Sequence, residues 1–98
     1  MKNVYSIYDR VSAQYLNPEV HENDGVAIRC FLISCANPSI PDVYLDDITL
    51  CCIGSFDESS GTISPCPPKN IFFGNSPAVK DLRQQYKEVT ENEISEKE

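Results

Sequence analysis

The sequence predicts a single α+β domain in which a small three-stranded sheet is packed by one helix, with a second helix near the C-terminus. Three observations predict it: an early run of β-forming residues, an apolar stripe at helical spacing, and an apolar strand followed by a tight turn. The predicted order is strand, helix, strand, strand, helix. We assign residues 1–75 to a core domain ending in an apolar arm, and residues 76–98 to a C-terminal helix with an acidic tail.

The first strand is predicted over Val4–Ser12, where valines, an isoleucine and two tyrosines favour extended backbone. Alternation places Tyr5 on one face of this strand, and Tyr8 and Arg10 on the other. Asn17-Pro18 is typical of a turn. The strand is therefore expected to lead into a polar connection.

The first helix is predicted from about Asp24 to Ala36. Asparagine and aspartate before this segment can cap free backbone amides, and Asn37-Pro38 ends it. Small apolar residues recur at helical spacing and form the stripe that we expect to face the sheet: Val26, Ala27, Cys30, Phe31, Ser34 and Cys35.

The second strand is predicted over Ile48–Phe56, followed by a turn at Asp57–Gly61 and a short third strand over Thr62–Ser64. The proline-rich segment Pro65–Pro68 cannot continue a central strand. Alternation places Leu50, Cys52 and Phe56 on one face of the second strand, and Cys51 and Ile53 on the other. One helix covers only one face, so the second face is expected to pack on the C-terminal helix or on a second copy of the chain.

The C-terminal helix is predicted to begin with Ser76 as the N-cap and Pro77 in the first turn. Lys80, Arg83 and Lys87 lie on one side of this helix and form the main basic cluster of the chain.

The chain is acidic: 15 aspartate and glutamate residues oppose 8 lysine and arginine residues, for a net charge of −7. After residue 87, five glutamates and one lysine account for −4 of this charge. Affinity for the phosphate backbone depends mainly on cations that release counterions, so the overall balance disfavours non-specific nucleic-acid binding. Any DNA contact is expected to be local, or shared across an oligomer.

Several classes of function are not supported by the sequence. The 5 cysteines form an odd set in a chain without a signal-peptide pattern, which favours free thiols in a reducing cytosol. No apolar run approaches the length of a membrane span. His21 is the single histidine and no Cys-x-x-Cys pair occurs, so we predict no metal site. Cys51 and Cys52 are interpreted as packing residues, and the Asp42, Asp46 and Asp47 group as solvated.

Nucleophilic catalysis is not predicted either, because no nucleophile motif accompanies the single histidine. We therefore expect a protein without enzymatic activity and without a cofactor.

Three motifs carry a resemblance to a known family. They are Tyr5–Val11, Asn23–Arg29, and Ile53–Asp57 with Gly61-Thr62-Ile63 downstream. In order and approximate spacing they resemble the small nonstructural DNA-binding protein of gokushovirus-type phages of the Microviridae. The similarity covers roughly residues 4–64.

The resemblance implies a nonstructural accessory of bacteriophage DNA replication and genome packaging in the host bacterial cytoplasm. Such phages have small circular single-stranded DNA genomes, and the family is regarded as the counterpart of the protein that switches replication from duplex to single-strand synthesis with packaging. The implied partners are single-stranded DNA or viral replicative-form DNA, together with phage replication or procapsid proteins, and no membrane. The alternative is an interaction module that binds the phage initiator or procapsid proteins without touching DNA.

The candidate DNA-binding residues follow from the chemistry of single-strand binders, which combine aromatic platforms with positive charge. Tyr5 and Tyr8 are candidates for stacking on bases, and Arg10 and Arg29 for contacting phosphates; the cluster Lys80, Arg83 and Lys87 completes the set. In a second interpretation the tyrosines pack at the edge of a core, and Asp9, Arg10 and Arg29 form a structural ion-pair cluster.

The acidic tail provides a first test. Deleting residues 90–98 removes four glutamates and Lys97, a net gain of +3, next to the basic cluster. If the cluster contacts DNA, the truncated chain should bind single-stranded DNA more tightly at low salt, where the Debye length reaches about 30 Å near 0.01 M, and equally at high salt. Equal affinity of the two chains at low salt would contradict this autoinhibition.

Overall fold

A computed structural model describes residues 1–86 of the chain and contains four strands and three helices in that range. The elements, in chain order, are β1 (Lys2–Asp9), β2 (Gln14–His21), α1 (Asp24–Cys35), α2 (Asp42–Leu45), β3 (Ile48–Asp57) and β4 (Thr62–Phe73). A further helix, α3, occupies residues 77–86. None of the helices in this described range is long and apolar enough to cross a membrane.

The four strands form one antiparallel sheet in the order β2-β1-β3-β4. The predicted three-stranded sheet with the order β-α-β-β is therefore wrong, because the chain makes a β1-β2 hairpin before the first helix. The predicted first strand also extended too far. It ends at Asp9, and residues 10–13 form the hairpin turn.

Strand β2 was missed because Asn17-Pro18 is typical of a turn. In the structure both residues lie in a β-bulge, where they oppose the single residue Ser6 of β1. Proline has no N–H to donate to a ladder, and a bulge on an edge strand removes the need for one. The Ser6 hydroxyl donates a hydrogen bond to the carbonyl of Leu16 at this bulge.

Strand β4 is longer than predicted, since it continues through the proline-rich segment to Phe73. The register between β3 and β4 shifts there, and residues 66–68 oppose Ile53 alone. Prolines are excluded from a central strand, but β4 is an edge strand, so its outer side needs no donors. Gly54 fits the close approach of the two strands, because a β-carbon there would lie 2.6 Å from the Ser64 carbonyl oxygen.

Helix α1 agrees with the sequence prediction. Asn23 accepts a hydrogen bond from the Val26 amide at 3.0 Å, and Ala36 is the C-cap. Ala27 and Phe31 of the predicted apolar stripe are buried. The core combines residues from β1, β3 and all three helices: Tyr5, Ala27, Phe31, Cys35, Leu45, Ile48, Leu50 and Val79. The three helices thus pack on the same face of the sheet.

The side chain of Arg83 links α3 to the end of α1 and to the loop that follows it. Its Nη1 donates to the carbonyls of Cys35 (2.6 Å) and Asn37 (3.2 Å), and its Nη2 to that of Ile40 (2.7 Å). The guanidinium also pairs with Asp42, 2.8 Å from Nη2. Arg83 is only 8% exposed, so these bonds satisfy backbone carbonyls at the end of α1 and in the loop after it.

Replacing Arg83 with methionine should lower the free energy of unfolding by about 2–3 kcal/mol, since hydrogen bonds to a charged donor are lost and buried carbonyls are left without partners. Lys80→Met, an exposed position on the same helix, is the control and should change it by less than about 0.5 kcal/mol. Urea unfolding followed by circular dichroism measures both. Equal stability of the two variants would contradict the structural role of Arg83.

Candidate nucleic-acid interface

The helices contribute their core side chains to one face of the sheet, and the opposite face is here called the open face. Ser6 and Cys51 at the centre of the open face are buried, and its exposed side chains lie towards the ends and edges of the sheet. Successive side chains of a strand point to opposite faces, and residues paired in register share a face. Tyr5 and Ile7 of β1 face the helices, so Lys2 and Tyr8 belong to the open face.

A row of side chains crosses the open face at one end of the sheet. Tyr15 of β2 pairs with Tyr8 of β1, Tyr8 pairs with Thr49 of β3, and Thr49 pairs with Phe73 of β4. We call Tyr15, Tyr8 and Phe73 the aromatic row. The rings of Tyr8 and Tyr15 lie 4.8 Å apart at 46°. Since adjacent strands are about 4.8 Å apart, the row spans about 14 Å.

The aromatic row is accessible. Tyr15 is 48% exposed and Phe73 is 51% exposed, while Tyr8 is half-buried between them. The neighbouring Phe72 points the other way and meets the ring of Phe31 in the core at 6.3 Å, nearly edge-on. Of these two adjacent phenylalanines, Phe72 therefore packs in the core, and Phe73 lies on the surface with about half of its area in contact with solvent.

Phe56 is also on the open face, which corrects the prediction that it shares a face with Leu50 and Cys52. Leu50 and Cys52 do face the core. The register shifts beyond Cys52, where Ile53 has no partner on β1, and the alternation is reversed from there on. Phe56 consequently pairs with Lys2 on the open face.

Arg10 directly follows the last residue of β1, two positions after Tyr8 of the aromatic row. Its Nε is 2.7 Å from Oδ1 of Asp47, and its amide donates to the Asp47 carbonyl at 3.0 Å. The hydrogen bond to Asp47 raises the pKa of the guanidinium, whose side chain is 70% exposed. Asp47 therefore positions the Arg10 side chain, and most of that side chain remains exposed to solvent. The predicted ion-pair cluster of Asp9, Arg10 and Arg29 is replaced by this pair.

Tyr5 is in the core, 1% exposed, so its ring is not available for stacking. Its hydroxyl donates to Oδ1 of Asp24 at 2.5 Å and accepts from Nδ2 of Asn3 at 3.1 Å. Burial, together with the bond to Asp24, raises the pKa of Tyr5 to about 12. This tyrosine joins the central strand to the first turn of α1.

The basic cluster predicted on the last helix does not form one surface in the described residues. Arg83 is buried, Lys80 is exposed, and Lys87 and the acidic tail lie outside residues 1–86. Arg29 is exposed on α1, at the opposite end of the sheet from Arg10. Of the seven candidate residues, Tyr8 lies in the aromatic row and Arg10 follows it two positions along the chain, while Lys80 and Arg83 line a separate hollow with Asp42 and Asp46.

Tyr15 and Phe73 are the residues that sequence reasoning missed. Tyr15 lies on β2, which was not predicted because Asn17-Pro18 is typical of a turn. Phe73 lies on the part of β4 that was not predicted because of the prolines. A signal was present in both cases, because each aromatic residue sits in a short run of β-forming residues beside a turn.

No group of three histidine, cysteine or carboxylate side chains within residues 1–86 is arranged to hold a metal ion. Burial raises the pKa of the Cys35 thiol to about 11, and it also raises the pKa values of Cys51 and Cys52. These thiols are therefore poor nucleophiles near neutral pH. His21 is within 3.1 Å of a carboxylate oxygen of Glu19.

A protein-family model described as "Phage ORF5 protein" matches residues 2–76 of the chain. The match contains the whole sheet, α1 and α2, and it ends at the residue before α3. The aromatic row and Arg10 fall inside the matched range, whereas Lys80, Arg83 and Lys87 fall outside it. No curated protein and no solved structure matches the chain.

Tyr5→Phe tests the link between β1 and α1. The folded-state pKa of about 12 lies above the ordinary value of 10.0, so the native state holds this proton more tightly. The stabilisation is complete below about pH 10 and is lost as the pH rises towards 12. In Tyr5→Phe, this contribution to the loss of stability at alkaline pH should be absent. The free energy of unfolding near neutral pH should fall by about 1 kcal/mol.

Urea unfolding at a series of alkaline pH values measures the effect, with Tyr15→Phe as the control because no hydrogen bond of its hydroxyl is seen in residues 1–86. If Tyr5→Phe loses as much stability above pH 10 as the unmodified chain, the Tyr5 hydroxyl is not the group responsible.

Proposed function

We propose that this chain, which belongs to the phage ORF5 protein family, is a non-enzymatic accessory protein that binds single-stranded DNA on the open face of its sheet. The observation that carries the proposal is the aromatic row, whose outer residues Tyr15 and Phe73 are about half exposed on the face opposite the helices. The resemblance to the gokushovirus protein gives the role: promoting single-stranded genome synthesis and packaging in a bacteriophage of the Microviridae.

Stacking is the contact that the aromatic row is suited to make. Every base has a π-face, and stacking on an aromatic side chain contributes about 1–3 kcal/mol per base with little sequence preference. Tyr15 and Phe73 each expose about half of their surface, at the two edges of the sheet. Tyr8 and Tyr15 are on neighbouring strands, an arrangement that lets successive bases stack in other single-strand binders, and Phe73 lies two strands beyond Tyr8.

The charge distribution favours a single strand over a duplex. Residues 1–86 hold six basic and ten acidic side chains, a net charge of −4. A duplex presents phosphates on its outside and hides the faces of its bases, so an acidic surface with few cations gains little from it. A single strand offers unpaired bases to the rings, and Arg10 beside the aromatic row supplies a local cation.

One observation favours the alternative of a protein-only interaction module. The open face also exposes apolar side chains away from the aromatic row, with Val20 at 42% and Ile63 at 62% exposure. Such a surface fits a protein partner, including a second copy of this chain. Phage initiator or procapsid proteins are the partners that the family resemblance suggests.

Tyr15→Ala and Phe73→Ala should each weaken binding of a fluorescent single-stranded oligonucleotide by about tenfold or more, as expected for the loss of one stacked base. Val43→Ala removes an exposed apolar side chain from α2 and is the control, with unchanged affinity. Fluorescence anisotropy at two salt concentrations, with a duplex of the same sequence for comparison, measures these affinities. Circular dichroism confirms that each variant is folded.

The proposal fails if the unmodified chain binds no single-stranded DNA at low salt, or if it binds duplex more tightly. Sedimentation then decides what the open face does. A dimer that dissociates in Phe73→Ala would assign this face to self-association, whereas capture of purified initiator or procapsid protein by a monomer would assign it to a phage protein.

A further inference from the structure

A second surface feature lies at the other end of the sheet, where β1 begins and β2 ends. A hollow of about 320 Å³ is lined by Lys2, Val20, His21, Glu22, Val26 and Arg29. We call it the basic hollow. None of its lining residues belongs to the aromatic row.

The fold builds this hollow from three elements. Asn3 pairs with His21, which sets the end of β2 beside the start of β1. Helix α1 begins three residues after His21, and Val26 and Arg29 lie one turn apart on the same side of it. Lys2, Val20 and Arg29 therefore approach one another from a central strand, an edge strand and a helix.

The cations of the hollow differ from the other arginines of the fold. Arg10 and Arg83 are each paired with an aspartate. Within residues 1–86, the side chains of Lys2 and Arg29 make no hydrogen bond or ion pair, although the charge of Lys2 is among the smaller causes, after the backbone hydrogen bond and the N-terminal amine, that lower the pKa of Glu58. Glu22 is the one carboxylate among the lining residues. Two of the unpaired cations of an acidic chain thus share one concave site, which is the arrangement that binds an anion.

We propose that the basic hollow binds a backbone phosphate of the same single-stranded DNA whose bases stack on the aromatic row. The inference rests on the proposed function and extends it by assigning a second contact. Arginine offers a planar fork of donors to phosphate oxygens, and lysine adds a mobile point charge. Lys2 and Arg29 provide one of each.

The positions of the two contacts define a path along β1. Lys2 and Tyr8 are both on the open face and are six residues apart, which corresponds to about 20 Å of extended strand. A nucleic-acid strand that follows β1 thus leaves the aromatic row and reaches the hollow at the far end of the sheet. A fragment too short to span this distance contacts one of the two sites only.

The test measures how strongly binding depends on salt. For single-stranded DNA, each phosphate contact adds about 0.7 to the slope of log affinity against log salt concentration. Lys2→Gln and Arg29→Gln should each weaken binding of an oligonucleotide of about 16 nucleotides at low salt and each reduce the slope, by about 0.7 in total when both are changed. For a fragment of about two nucleotides, below the usual site size, the two variants should match the unmodified chain.

Lys69→Gln is the matched control, because it removes the same charge from β4 at the opposite edge of the sheet. It should leave the slope unchanged. The inference is overturned if Lys2→Gln and Arg29→Gln keep the slope of the unmodified chain, or if Lys69→Gln reduces it equally. In that case the proposed function still stands if Tyr15→Ala and Phe73→Ala weaken binding. If the unmodified chain does not bind single-stranded DNA, both proposals fall together.

Discussion

The hydrogen bond from Tyr5 to Asp24 joins the central strand to the first turn of the main helix, on the face of the sheet where the core forms. The ring of Tyr5 is 1% exposed, and its hydroxyl reaches Asp24 at 2.5 Å. An aspartate in the first turn also interacts favourably with the positive end of the helix dipole. Once α1 is held on this side, alternation along β1 sends Tyr8 to the opposite side, where the candidate interface lies.

Bulges at the sheet edges are a second constraint on the same interface. Pro18 on β2 and the prolines of β4 cannot donate hydrogen bonds, so each edge strand is irregular where they occur. Irregular, proline-containing edges resist the pairing of further strands from other chains. The exposed open face is thus flanked by edges that are poor templates for aggregation, which allows large apolar side chains to remain accessible.

Local periodicity in the sequence predicted the central part of the fold. The helix from Asp24 and the shared face of Leu50 and Cys52 were both evident from spacing alone, because each depends on neighbours within a few residues. Strand β2 was not, since the turn chemistry of Asn17-Pro18 looks the same in a loop and in a bulge. Phe56 changed face for a related reason: one unpaired residue, Ile53, reverses the alternation and has no local signature.

The candidate site was harder to predict than the fold. Tyr8 and Arg10 were found because they lie two positions apart in the sequence, whereas Tyr15 and Phe73 reach them only through strand pairing across the sheet. Arg83 had the spacing of a surface cation, yet it is buried, because most of its partners are backbone carbonyls more than forty positions away in the sequence. Side-chain identity cannot reveal such partners.

An acidic chain that binds DNA must obtain most of its affinity from something other than charge. In the proposed function, stacking supplies that affinity, and stacking is possible only where bases are unpaired. The scarcity of cations is then an advantage, since each additional basic residue would strengthen binding to duplex as much as to single strand. In the proposed function, this balance is what distinguishes newly made single-stranded genomes from replicative duplex. Under the same proposal, few phosphate contacts make the protein easy to displace when the strand is packaged.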